Sequence, residues 1–225
     1  MRFPFDGRYA PLMERVSFIK APIHIAMQAF LEWYTSDRKP LTTHAFQGNF
    51  EDLLLRVLPF NEPYQLVFVP TTNGWTAAFT NSELAEGPNF GIVSKFLNCE
   101  VVWIQAILKD YDIQVNGWGG GTIEFIDKGE CKRIVSLLYD ERWDFSTWGD
   151  PLPFETPAYY TARYARNRFT PQILQEYAQA VGIDFFNEHY YLPQGTTAYV
   201  LEHHYTTKRN PISLEEARKA RGLDA

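Results

Sequence analysis

The segment YYTARYARNRF, residues 159–169, sets Arg163, Arg166 and Arg168 among Tyr159, Tyr160 and Tyr164. Guanidinium groups beside phenol rings can stack on nucleic-acid bases, or they can anchor a protein interface, where Tyr, Trp and Arg carry most of the binding energy. Arg163 and Arg166 are three apart, so on an amphipathic helix they would share a face while the tyrosines pack inward. Just upstream, YDERWDF at 139–145 groups Asp140, Glu141 and Asp144, the nearest the chain comes to paired carboxylates for acid–base work. NGWGGGTIEF at 116–125 has the glycines of a phosphate loop but leads into a strand and lacks the lysine. It reads as a flexible hairpin loop that carries Trp118 as a contact residue on its tip.

NGWTAAFTNS, residues 73–82, raises a different choice. Trp75 and Asn81 could build a pocket with Arg142 and Trp143. Alternatively Asn73-Gly74 is a hairpin turn, and Trp75, Ala77 and Phe79 are one face of a strand. The hairpin leaves only Asn81 unexplained, and we expect it to cap the loop that follows.

Other reactive constellations lack their residues. The histidines are at 24, 44, 189, 203 and 204, and neither H-E-x-x-H nor C-x-x-C occurs. His203 and His204 are adjacent on a predicted strand and so face opposite sides. No G-x-S-x-G elbow is present, and Cys99 stands beside Glu100, whose charge opposes a thiolate. Cys99 and Cys131 make no disulfide framework and are expected as buried apolar side chains in a reducing compartment. The expectation is a protein with no catalytic constellation, metal or cofactor.

The formal net charge is -6, which disfavours nucleic acid and anionic membrane and suits a basic protein partner. Aromatics make up 16% of residues, which suggests a wide core, an interaction surface, or both. Asp6 and Arg8 fall where a signal peptide needs an apolar run, and the longest apolar stretch, VVWIQAIL at 101–108, is too short to span a bilayer. A cytoplasmic location is expected.

Positioning these residues requires elements whose periods are readable. Strands are expected at 16–20, through YQLVFVP, at 75–80, through CEVVWIQAIL, at about 121–127 and 131–138, and at 197–205. Helices are expected after Pro22, with Ile23, Met27, Phe30, Leu31 and Tyr34 as the apolar face, near 48–58, and after Pro88. Thr170-Pro171 caps another helix that Gly182 closes, and a charged helix follows Ser213. No linker divides the chain, so residues 1–225 read as one α+β domain with a mixed or mostly antiparallel sheet and flanking helices.

GWTAAFTN, then RWDF followed by LPFETPAYYTAR, then RFTPQILQEYAQAVGI together resemble a group of uncharacterised bacterial proteins. That group similarly carries a Gly-Trp-Thr-Ala segment ending in Asn, an Arg-Trp-x-Phe segment and an Arg-Phe-Thr-Pro helix start. The resemblance spans about residues 74–183, and this chain departs from it at Ala78 and Thr80, where a bulkier aromatic and an acid are expected. In size, acidity and lack of catalytic signature the chain is also similar to the immunity proteins of bacterial polymorphic toxin systems. That likeness implies a non-catalytic protein that occludes a cognate toxin domain. The residues expected to meet the partner are Trp118, Tyr159, Arg163, Arg166, Glu141 and Asp144. An enzyme using the Trp75, Asn81, Arg142 and Trp143 pocket, or a small-molecule-binding protein, is the alternative.

Overall fold

Strand-forming apolar runs build, among the described residues, a single nine-stranded sheet with strand order β2-β9-β3-β4-β1-β5-β6-β7-β8. The structure, a computed structural model, describes residues 7–35, 41–82, 90–108, 118–203 and 210–223. The strands are β1 (Arg15–Ile19), β2 (Leu41–Phe46), β3 (Tyr64–Pro70), β4 (Thr76–Thr80), β5 (Glu100–Leu108), β6 (Trp118–Asp127), β7 (Glu130–Asp140), β8 (Arg142–Trp148) and β9 (Ala198–His203). Every neighbouring pair is antiparallel, which narrows the expected mixed or mostly antiparallel sheet to an antiparallel one.

Strand alternation gives the sheet two apolar faces. On one face Val16, Phe18, Val67, Val69, Phe79, Ile104 and Leu137 form the larger core. Over it lie α2 (Phe50–Arg56), α4 (Pro171–Ala180) and α5 (Leu214–Ala220). On the other face Leu66, Phe68, Ala78 and Val101 meet α1 (Ile23–Thr35) and α3 (Gly91–Leu97). There Phe30 of α1 packs its ring 5.8 Å from Phe68 and 5.9 Å from Phe90.

The helix signals hold at their caps. Thr170 accepts from the Ile173 amide at 3.4 Å and Pro171 takes the first turn, where a missing N–H costs nothing. Ser213 and Glu216 form a reciprocal capping box on α5.

Three local expectations fail. The 159–169 segment is no amphipathic α-helix but two 3-10 turns, Pro157–Thr161 and Ala165–Asn167, with Arg163 between them. Trp118 is no loop-tip residue: it opens β6, is 1% exposed, and covers Gly121, where an added Cβ would lie 2.5 Å from the indole. Gly121 thus admits the ring, and Gly120, with φ 118°, admits the Leu137 carbonyl, so these two glycines serve close packing rather than a loose loop. The remainder of the expected loop, at 116 and 117, and His204 lie outside the described residues. Finally, β2 and β8, the two margins of the sheet, were not expected as strands at all.

Candidate partner-binding margin

At the β8 margin a tight hairpin fixes the register. Glu141 turns the chain with φ 58°, so that Asp140 opposes Arg142, Leu138 opposes Asp144 and Ile134 opposes Trp148. Alternation then divides β8. Trp143 and Phe145 pack on the core face, whereas Arg142, Asp144, Ser146 and Trp148 stay exposed. Trp148 is 56% exposed, a large apolar surface to leave in water.

Beneath the hairpin lies a buried polar network. Arg133 on β7 makes a bidentate pair with Glu155, Nε to Oε1 at 2.9 Å and Nη2 to Oε2 at 2.8 Å. Their side chains are 1% and 0% exposed. The Arg133 Nη1 donates to the carbonyls of Trp148 at 3.2 Å and Gly149 at 2.5 Å, tying down the end of β8. Glu155 also accepts from the Leu152 amide at 2.9 Å and from the Tyr160 hydroxyl at 2.5 Å. Burial alone would raise the Glu155 carboxyl, but the bonds from Arg133, Leu152 and Tyr160 outweigh it and hold the group below its ordinary value. The ionised carboxylate can only accept, so the single Tyr160 proton points to it. The Tyr177 hydroxyl, 3.0 Å from the Tyr160 oxygen, must then supply the proton between them, while it accepts from the Thr156 amide at 3.2 Å. The Tyr160 phenol is pushed well up by burial and by Glu155.

The 162–168 segment abuts β8, and the Arg168 guanidinium lies 5.8 Å from the Phe145 ring centroid. Tyr164, 54% exposed, is flanked by Arg163 at 5.4 Å and Arg166 at 5.5 Å from its ring. The 162–168 segment lies on the Phe145 face of β8, so Arg163, Arg166 and Tyr164 share this margin with Asp144 and Trp148 only from the opposite face, with Glu141 at the hairpin end. Tyr159 is half-buried against the core, its hydroxyl 3.4 Å from Glu176. Trp118 is withdrawn from any surface role by its burial. Sequence reasoning missed Trp148, read Tyr164 as packing inward where it is 54% exposed, and missed Arg133 and Glu155 entirely. The period-two pattern Trp143, Phe145 within RWDFSTW was the available signal for the strand.

The alternative pocket is not assembled. Trp75 and Asn81 bracket β4, Arg142 and Trp143 lie on β8, and β1, β5, β6 and β7 separate them, roughly 24 Å of sheet. Asn81 is 0% exposed, and the loop that it was expected to cap lies outside the described residues. Its Oδ1 accepts from the Gln65 amide at 2.8 Å, and its Nδ2 donates to the carbonyls of Pro63 at 2.8 Å, Val57 at 3.1 Å and Pro59 at 3.2 Å. It is the hub that folds the 57–65 segment back on β4. Trp75 is 4% exposed and belongs to the core. The hairpin tip is docked as well, Tyr190 donating to the Asn73 Oδ1 at 2.8 Å.

A separate cleft of about 710 Å³ opens between residues 48–51 and 188–195. Its floor is the stacked pair Phe50 and Tyr191, ring centroids 4.7 Å apart, and its walls carry Asn49, Glu51, Glu188 and His189. Glu51 is oriented from outside by the Tyr9 hydroxyl at 2.7 Å and the Arg8 Nη2 at 2.9 Å. Burial and the bond to Glu51 push the Tyr9 phenol up to about 12. Leu192, which lines the cleft, holds φ at 49°, a conformation rarely adopted by branched side chains.

The thiols are half-buried, where full burial was expected. Both are pushed up to about 11, Cys99 by burial, Glu100 and Asp127, and Cys131 by burial and Glu124. Among the described residues no three His, Cys, Asp or Glu side chains converge as a metal site requires. No described helix is long and apolar enough to cross a membrane. No protein-family model matches the sequence, and no curated protein and no solved structure matches it either.

Proposed function

We propose that this chain is a non-catalytic binding protein that occludes a protein partner, and that it works as an immunity protein against a toxin domain. One observation carries the reading: the β8 margin holds Trp148 and Tyr164 in water, each more than half exposed, with Arg163 and Arg166 around Tyr164. Exposed Trp, Tyr and Arg on a rigid support are the composition of a binding hot spot. The Arg133–Glu155 network beneath supplies the rigidity, so little ordering entropy is lost when a partner docks. Asp144, Glu141 and the net charge of -6 favour fast association with a basic partner. A cytoplasmic site of action, where a toxin would be met, completes the proposal.

The test is co-purification with the product of the adjoining open reading frame, followed by titration calorimetry. Trp148→Ala and Tyr164→Ala should each weaken the complex about tenfold or more while the fold is retained. A complex indifferent to both substitutions, or no complex and no protection of cells, would sink the reading.

The cleft favours a second reading, a small-molecule-binding protein, because it is large enough for a metabolite and has both an aromatic floor and polar walls. A thermal-shift screen with a metabolite panel addresses it. A hit abolished by His189→Ala, on the wall of the cleft, but untouched by Trp148→Ala, would support it over occlusion.

A further inference from the structure

The cleft between residues 48–51 and 188–195 has walls and a floor of different chemistry. Its floor is apolar. Phe50 and Tyr191 are both buried, and the Tyr191 hydroxyl donates to the Phe185 carbonyl at 2.8 Å, so this residue offers a ligand only its ring. The walls carry carboxylates. Glu51 is held through one oxygen: the Tyr9 hydroxyl at 2.7 Å and the Arg8 Nη2 at 2.9 Å both meet Oε1. Its Oε2 has no partner among the described residues. On the other segment the Glu188 carboxylate, half-buried, makes no hydrogen bond or ion pair among the described residues. None of the described residues that line the cleft is Lys or Arg. The wall is also preformed. Leu192 turns at φ 49° with its amide on the Pro70 carbonyl at 2.9 Å, and Tyr191 bridges Thr71, so little order has to be gained on binding.

We propose that this cleft binds an organic cation, an apolar or aromatic body ending in an ammonium group. The inference rests on the reading of the cleft as a small-molecule site and names the class of ligand. Arg8 already offsets Glu51, so Glu188 supplies the charge that the ammonium answers, and Oε2 of Glu51 supplies a further acceptor. The body then covers Phe50 and Tyr191. A phosphate or carboxylate ligand would instead set like charges together with no described cation in the cleft to receive it. A neutral ligand would desolvate Glu188 without answering its charge.

Calorimetric titration of the full chain at pH 8, above the ordinary imidazole range, tests this with probes that share one ring. They are tyramine, its neutral alcohol analogue tyrosol and the anion 4-hydroxyphenylacetate. Tyramine should bind at least about tenfold more tightly than tyrosol, the size of one charge-assisted bond, and the anion should not bind. Glu188 sits half-buried on a 3-10 turn, so Glu188→Gln should keep the circular dichroism spectrum. That variant should weaken tyramine at least about fivefold and leave tyrosol unchanged, because the amide still accepts but carries no charge. Tyrosol or the anion binding as tightly as tyramine would overturn the cation assignment and leave a small-molecule cleft in place. A tyramine preference unmoved by Glu188→Gln would overturn it too. No binding of any probe at millimolar concentration overturns the inference and, with a silent metabolite screen, the cleft reading as well.

Discussion

The two halves of the sheet are held together by different chemistry. Behind β8 the fixing groups are ionic: Arg133 and Glu155, fully enclosed, grip the end of the strand and the 152–160 segment. On the β3–β4 side they are neutral: one amide, Asn81, gathers three carbonyls and an amide N–H of the 57–65 segment. The ionic half ends in a margin whose exposed aromatics stand on a clamped backbone. The neutral half ends in β2, where Leu41 and Phe46 pack against the two cores but no side chain is fully buried. A charged network positions side chains in space, whereas an amide hub only joins chain to chain. The β8 margin proposed for recognition is thus the one whose backbone is clamped by buried charge.

Breaking the ionic clamp should have the largest effect. Arg133→Met leaves Glu155 charged and enclosed without its partner, a loss of about 3–5 kcal/mol in urea denaturation. Arg133→Met with Glu155→Leu should recover most of that loss, since an apolar pair of similar volume is often no worse than a buried ion pair. The double variant should nevertheless bind the proposed partner poorly, because the Trp148 and Gly149 carbonyls lose their donor. A single variant costing under about 1 kcal/mol would show that the clamp does not hold the margin.

Asn81→Ala comes next. It strands the Gln65 amide and up to three carbonyls, for about 2–3 kcal/mol, assuming water reaches some of them. Because the hub is uncharged, this cost should be the same at pH 5 and pH 8 and in low or high salt. A cost that varied with pH would mean that the two halves are coupled rather than held separately.

The same logic predicts how pH divides the halves. The Glu155 carboxyl is held below its ordinary value, so its stabilisation is complete above the unfolded value of about 4.3 and is lost as pH falls through the lower folded one. Glu14 acts in the opposite sense. Burial raises its carboxyl, so its ionisation begins to cost stability as pH rises past the unfolded value. Comparing Glu155→Gln with the parent cancels Glu14. The difference in stability should be flat above about pH 5 and shrink as pH falls below 4.3. A constant difference down to pH 2 would contradict an ionised, clamped Glu155.

Much of this arrangement was legible in the residues, and the illegible part is informative. The central strands announced themselves because β3, β4, β5 and β6 are apolar on one or both faces, and hydrophobic period is the strongest local signal. The margins did not. LTTHAF has no alternation, and RWDFSTW hides its Trp143 and Phe145 period among charges. Edge strands bury little, so selection for burial leaves little pattern in them. Arg163 and Arg166 were picked out correctly as exposed cations, but on the wrong scaffold, since 3-10 turns obey no 3.6-residue period. Trp118 was misplaced for a related reason. Glycine beside an aromatic can mean flexibility or close packing, and only the ring seated over Gly121 decides between them. Arg133 and Glu155 lie 22 residues apart, so no local spacing could have paired them.

The smallest effect expected is also the sharpest discriminator. The Trp148 main chain is gripped by Arg133 through its carbonyl, but its side chain is 56% exposed and stands on the open face opposite Ile134. Truncating the indole leaves the grip intact, so Trp148→Ala should change folding stability by no more than about 0.5 kcal/mol in urea denaturation. Backbone and side chain at this one residue are thus separable, the first belonging to the fold and the second to the proposed docking surface. A loss above about 1.5 kcal/mol would mean that the indole is packing rather than waiting, because such costs come from buried contacts. The contrast between the two margins would then reduce to a difference in how each half is held, with no recognition surface implied at β8.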